Sequence, residues 1–326
     1  MTGVSGNPQR VRARGVPRPL VAVMSSGFFG FFAHAGFLQG LEDLGLVPDA
    51  YAGTSSGALV AACAAAGLSP QDMLAAFCRL RRRDFWDPPS GRELLALCLR
   101  GWRGESGYLR GRAFRRILEA VLPVHRFEDC RRRCLIVALD AAAGRRVVFT
   151  AGPLVPAVVA SGAVPLLFRA VSRGEELLLD GGLVDKAPLA AAAEYLQPAS
   201  MVVHLLPSAS LEAPPEHTLA RRWAPFRLQA RAVDAARAQV YRDQMDRLRS
   251  RMPVWEVVSR GLPRLGPRRL SRGPEAFALA RRLTVESLRH HARGSRTRDC
   301  DKMDLGELSR SQPGPLLGNA PCDNGF

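Results

Sequence analysis

Between Leu20 and Gly57 the chain reads as strand, helix, strand, and no other stretch constrains the fold as much. Leu20 to Ser25 is a short apolar run ending in Ser25-Ser26-Gly27, the pattern of a buried strand entering a turn. Phe31 to Leu44 follows with leucines at 38, 41 and 44, a helical spacing that Gly45 and Pro48 bring to a stop. Asp49 to Ala52 is a second, very short strand. After the turn Gly53-Thr54-Ser55-Ser56-Gly57, an alanine-rich helix runs to about Ala66. A βαβ unit sets its strands parallel, so the loops after both strands leave at one edge of the sheet, where open α/β sheets bind ligands. The expected class is α/β with a mostly parallel central sheet.

Downstream, residues 69–130 read as a mostly helical, basic insertion. Strands are predicted at Cys134 to Leu139, Arg145 to Thr150, Leu177 to Leu179 and Met201 to Leu206, and a short helix at Pro156 to Gly162. Pro207 to Pro215 and Gly261 to Pro274 read as linkers. Between them lies a helix over 218–252, on which Val233, Ala236, Val240, Gln244 and Leu248 share a face, with Tyr241, Met245 and Met252 beside it. A last helix is expected to reach about Ala292. The chain thus divides into a basic flexible tail (1–19), a main domain (20–207), a basic helical extension packed on it (208–293) and a disordered tail (294–326).

With 326 residues the chain can bury a core without disulfide or metal staples. Its net charge of +16 is concentrated, with +4 in residues 1–20, +7 in 79–116 and +12 in 220–293. Such stretches suit peripheral contact with an anionic membrane. Only Lys186 and Lys302 are lysines, against 44 arginines, so part of the excess is a compositional bias. With 7% aromatic residues and no recognised motif, nucleic acid is not an expected partner. The seven cysteines are odd in number and contain no Cys-x-x-Cys pair. Beside Cys130 and Cys134 there is no second pair to complete a zinc site, so free thiols, no metal and no cofactor are expected. The run Leu20 to Leu38 superficially resembles a signal peptide. It is, however, broken by Ser25, Ser26, Gly27 and Gly30, and cleavage after Ala35 would remove part of the site described next. No apolar run reaches the roughly 18 residues of a transmembrane helix. The expected location is cytoplasmic.

Gly53-x-Ser55-x-Gly57 between a strand and a helix has the form of a nucleophile elbow. The turn is so sharp that glycines are needed two residues to each side. The serine is thereby lifted to the N-terminus of the following helix, where a developing anion is favoured. Serine needs a base, and the histidines offer none in a suitable place. His204 lies inside an apolar run, His34 on the first helix, His217 by a linker, and His290 and His291 at a basic helix end. Asp180 stands where a strand exits into Gly181-Gly182. A partly desolvated aspartate there can take the serine proton directly, although an Asp-Gly pair by itself also suits a plain turn.

Four blocks in this order resemble the patatin-like phospholipases: Ser26 to Leu38, Ala52-Gly53-Thr54-Ser55-Ser56-Gly57-Ala58, Ala160-Ser161-Gly162-Ala163-Val164-Pro165, and Asp180-Gly181-Gly182-Leu183-Val184. The resemblance covers roughly residues 20–207. It implies a three-layer α/β/α fold with C-terminal helices, an acyl-lipid substrate, and a Ser55–Asp180 dyad without a catalytic histidine. It also implies an oxyanion loop around Gly27 and Phe28. That family's loop usually carries three glycines, a variable residue, an arginine and a further glycine. Here the stretch is Ser26-Gly27-Phe28-Phe29-Gly30-Phe31, which alters the backbone that must aim N–H groups at the oxyanion. Phe28, Phe29, Phe31 and Phe32 either line an acyl pocket or pack onto the core. Four readings follow: an acyl-lipid hydrolase; a catalytically silent lipid-binding or scaffold protein on the same fold; a nucleic-acid binder using the arginine-rich helices; and a conventional α/β-hydrolase using His204 or His217.

Overall fold

A computed structural model describes residues 16–101, 103, 106–212 and 224–294. Ten strands are β1 (Leu20–Met24), β2 (Ala50–Thr54), β3 (Gly107–Leu109), β4 (Arg133–Asp140), β5 (Arg145–Phe149), β6 (Leu166–Phe168), β7 (Val171–Arg173), β8 (Glu176–Asp180), β9 (Ser200–Leu205) and β10 (Val254–Val258). The helices are α1 (Phe31–Asp43), α2 (Ser56–Ala66), α3 (Pro70–Cys78), α4 (Arg82–Phe85), α5 (Gly91–Leu99), α6 (Arg112–Val121), α7 (Leu154–Ser161), α8 (Leu189–Leu196), α9 (Ala209–Glu212), α10 (Ala224–Arg249) and α11 (Gly273–Gly294).

The main sheet runs β10-β9-β1-β2-β4-β8-β7, with β5 also paired to β4. Strands from β10 through β4 are parallel to their neighbours, while β5, β7 and β8 pair antiparallel. Side-chain alternation along β1 explains the three layers. Leu20, Ala22 and Met24 face a core shared with α1, α2, α7 and α11. Val21 and Val23 face the opposite core, closed by α8 and α10. Both faces are covered, so the central strands are apolar on both sides.

The expected α/β/α fold is present, with differences: β6, β7 and α8 were not expected, and α9 lies within the stretch Pro207 to Pro215 read as a linker. Residues 16–19, grouped with the flexible tail, are packed: Val16 is buried, and Arg18 binds Asp49 at 2.7 Å. Val254–Val258 lies between two expected helices and adds β10 to the edge of the sheet, so the sheet draws on sequence beyond 207. On α10 the buried stripe is Tyr241, Met245 and Leu248, whereas Val233 and Val240 are exposed. The expected stripe was therefore rotated toward solvent. The basic insertion also holds the small strand β3, which pairs with β6. The tails 1–15 and 295–326, and Cys300 and Cys322, lie outside the described residues. Cys63, Cys78, Cys98, Cys130 and Cys134 are free thiols.

α11 crosses α1 at very close range. A Cβ on Gly36 would sit 2.2 Å from the Phe277 carbonyl oxygen, and Arg281 Nε donates to Asp43 Oδ2 at 2.5 Å. Because the obstacle is backbone, Gly36→Ala must push the two helices apart. It is expected to destabilise the fold by about 1–3 kcal/mol, read as a lowered Tm in thermal unfolding followed by circular dichroism.

Candidate active site

Strand register brings the serine and the aspartate together. Thr54, at the end of β2, pairs with Val137 of β4. Asp180, at the end of β8, pairs with the next residue, Ala138. β5 pairs with β4 across both positions, from Ile136 to Asp140, and so takes the other edge. β2 and β8 therefore meet end to end along one edge of β4, running in opposite directions. Ser55 and Asp180, distant in sequence, emerge at that junction.

At the elbow, Ser55 has φ 54° and ψ −120°, in the left-handed half of backbone space where few non-glycine residues sit. A Cβ on Gly53 would lie 2.2 Å from the Gly57 carbonyl oxygen, and one on Gly57 would lie 2.4 Å from that of Met24. Both glycines are steric necessities. The Ser55 N–H donates to Ser161 Oγ at 2.9 Å, and the Ser161 hydroxyl donates to Val137 O at 2.6 Å. Ser161, at the end of α7, thus fixes the strained turn.

The Ser55 hydroxyl donates to Asp180 Oδ2 at 2.7 Å, and the other oxygen, Oδ1, accepts the Gly182 N–H at 2.7 Å. Burial pushes the Asp180 pKa up to about 6, opposed by these two hydrogen bonds and by the charges of Arg237 and Lys186. Arg237, on α10, donates to Gly182 O at 2.5 Å and pairs with Asp234. It ties the helical extension to the loop that carries Asp180.

Gly27 and Phe28 lie on the same cavity as Ser55. Among the described residues neither amide has a hydrogen-bond partner. The altered loop is accommodated by Phe29 at φ 54°, while the Gly30 amide closes the turn on Gly27 O at 2.9 Å. The cavity, of about 140 Å³, is almost wholly apolar. Phe28, Phe29 and Phe31 line it, as does Ser55. Phe32 does not: it is fully buried in the core. Much of the cavity's aromatic wall comes from the basic insertion, through Phe85, Trp86 and Phe114, and from Phe168, with Leu59, Leu109, Val164, Leu167 and Pro267 between them.

His34, His204 and His291 are engaged elsewhere. His34 and His204 hydrogen-bond each other through Nδ1 at 2.8 Å. The outer nitrogen of His34 meets Ser25 O, and that of His204 meets Ser259 Oγ. Burial drives both pKa values down, that of His34 to about 3, so the pair is neutral. His291 is turned back on Ser287 O of its own helix, and His217 lies outside the described residues. Among the described residues no cluster of His, Cys, Asp or Glu is suited to a metal ion.

Sequence reading missed Ser161, Arg237, Lys186 and the insertion's aromatic wall as parts of this neighbourhood. Ser161 stood in a quoted block of small residues, a signal that a hydroxyl was needed at a tight approach. Nothing in the sequence tied Arg237 to Asp180.

The family model described as patatin-like phospholipase matches residues 22–193. A Mycobacterium tuberculosis protein of the NTE family is 32% identical over 173 residues, which cover 52% of this chain and 27% of that protein. A second NTE family protein from the same organism is 32% identical over 184 residues, covering 56% of this chain and 47% of its own. The match thus spans about a quarter of the first relative and about half of the second. Among solved structures, VipD from Legionella pneumophila is similar, with a TM-score of 0.45 and 14% identity over 85% of this chain and 68% of its own.

Proposed function

The chain belongs to the patatin-like phospholipase family, and we propose that it is a serine hydrolase that cleaves carboxylic esters of acyl lipids. The observation that carries this reading is the 2.7 Å hydrogen bond from Ser55 to Asp180 beside an apolar cavity. As Ser55 Oγ attacks the ester carbonyl carbon, Asp180 accepts its proton. The N–H groups of Gly27 and Phe28 then meet the tetrahedral oxyanion. Collapse breaks the ester bond, and the leaving alcohol takes the proton back from Asp180. Water attacks the acyl-enzyme with Asp180 again as base, and Ser55 is released with the free fatty acid. The acyl chain fits the aromatic cavity because its transfer from water is favourable there at about 0.8 kcal/mol per methylene.

A panel of phosphatidyl, lysophosphatidyl and simple acyl esters tests the reading, together with a fluorophosphonate probe and peptide mapping. Turnover of an acyl ester and a mass increase on the Ser55 peptide are expected. Vesicle binding with no hydrolysis of any ester would leave the silent lipid-binding reading, which the phenylalanines in the oxyanion loop motivate.

The cavity mouth also suits an anionic lipid surface. Phe28 and Trp86, both lining the cavity, are exposed, as is Leu166 beside Val164 of its wall. Residues 79–116 carry a net +7, and the Arg82 guanidinium lies 4.8 Å over the Trp86 ring. Each arginine near an anionic surface contributes roughly 1 kcal/mol. Binding is expected to be tighter to vesicles with 30% phosphatidylglycerol (about one lipid in three) than to pure phosphatidylcholine, and to weaken with added salt. Equal flotation with both vesicles would remove this part of the proposal. Among the described residues no helix is long and apolar enough to cross a membrane.

A further inference from the structure

Beyond lowering the Asp180 pKa by its charge, Lys186 takes no step in the chemistry above, yet it sits against it. It is buried, and among the described residues no carboxylate pairs with it. Burial and the nearby Arg237 push its pKa down to about 7. A buried cation without an ion-pair partner is costly, and a fold selected for stability alone would place an apolar side chain there. The choice of lysine is also unusual in a chain with 44 arginines and one other lysine. A compact ammonium on a flexible stem fits where a planar guanidinium fork does not.

Its contacts are specific. The Ser26 N–H donates to the Lys186 carbonyl at 2.8 Å, and Lys186 Nζ donates back to the Ser26 carbonyl at 3.0 Å. Residue 186 therefore grips both backbone polar groups of Ser26, the residue directly before Gly27. The same Lys186 carbonyl accepts the Thr54 hydroxyl at 3.4 Å, one residue before Ser55. Lys186 itself lies six residues after Asp180, on the chain that follows the Asp-Gly-Gly turn. One residue thus links the oxyanion loop, the elbow and the acid's loop.

We propose that Lys186 is a positioning residue, whose Nζ–H donor holds the Gly27–Phe28 loop in register with Ser55 and Asp180. This rests on the hydrolase reading for its kinetic consequence but not for its structural one. Without the Nζ bond the loop is held to residue 186 by one backbone hydrogen bond only, and its amides drift from the oxyanion. A displacement of about 1 Å in such a group costs on the order of 100-fold in rate.

Lys186→Met, similar in length and without the cation, is the direct test. A kcat about 10- to 100-fold lower with KM nearly unchanged is expected, because an oxyanion contact is made in the transition state and not with bound ester. Amide exchange of peptide 24–31, followed by mass spectrometry, is expected to quicken. This second readout requires no turnover. If the wild-type protein hydrolyses no ester, the hydrolase reading fails while the exchange result still decides the positioning role. Should Lys186→Met not fold, Lys186→Gln, uncharged and one bond shorter, carries the same two expectations. Wild-type kcat with wild-type exchange in a folded variant overturns the proposal, as does a kcat loss accompanied by an equal rise in KM.

Discussion

Ser55→Ala is expected to lower kcat for an acyl ester by about 10⁵- to 10⁶-fold, the scale on which serine hydrolases fail without their nucleophile. No neighbouring group can substitute. The Ser56 side chain projects from the first turn of α2 toward Gly30 and has no base beside it. Ser161 Oγ is committed to Val137 O and the Ser55 amide. The fold should be unaffected, since the strained φ at position 55 is open to alanine about as well as to serine and, among the described residues, the side chain makes only the one hydrogen bond to Asp180. Vesicle binding should survive, because the aromatic rim and the arginines are untouched. Fluorophosphonate labelling that persists in Ser55→Ala would refute the assignment of the nucleophile, whatever happens to turnover.

Much of this site was legible because it is written in residues whose need is local. Gly53 and Gly57 flank Ser55 for a steric reason that sequence spacing alone expresses, and the distances to the Gly57 and Met24 carbonyls bear that reason out. The strand-helix-strand pattern from Leu20 to Gly57 likewise follows from period and turn residues. Placement of Asp180 was legible only as a strand exit. That its strand meets β2 end to end, antiparallel, depends on pairing with β4, which no local pattern encodes. Val254–Val258 was lost for the opposite reason. Four of its five residues are strand formers, but the run is short and lies between two long helical stretches, where nothing local marks it as an edge strand paired with β9. The α10 stripe was misjudged because Val233 and Val240 are apolar but unopposed, while Tyr241 buries its ring and gives its hydroxyl to Glu256 at 2.7 Å. Charge misled in a similar way. Among so many arginines, Arg237 carries no mark that distinguishes it from those left in solvent.

Asp180→Asn separates catalysis from stability. The amide oxygen of asparagine can still accept the Gly182 N–H, so the loop keeps its shape, but no base remains to take the Ser55 proton. A loss of about 10²- to 10⁴-fold in kcat/KM is expected, the range supplied by a positioned general base. In the wild-type protein the base works only when ionised, so kcat/KM should rise with pH through an inflection near the Asp180 pKa of about 6. Lys186 and Arg237, the cations facing it, keep that inflection from lying higher still. The asparagine variant should lack it. Stability moves the other way. The folded protein holds the Asp180 proton up to about pH 6, whereas an ordinary aspartate releases it near 3.8, so over that window the native state binds more protons than the unfolded chain. The Asp180 contribution to wild-type stability therefore falls as pH rises from about 4 to about 6, by up to roughly 3 kcal/mol. Asparagine has no proton to lose and escapes that fall. The Tm of Asp180→Asn relative to wild type is expected to climb between pH 4 and pH 7, an inactive variant more stable than its parent at neutral pH. A wild-type kcat/KM that stays level from pH 5 to pH 7, or an asparagine variant that turns over normally, would remove Asp180 from the chemistry and leave it a turn-forming residue.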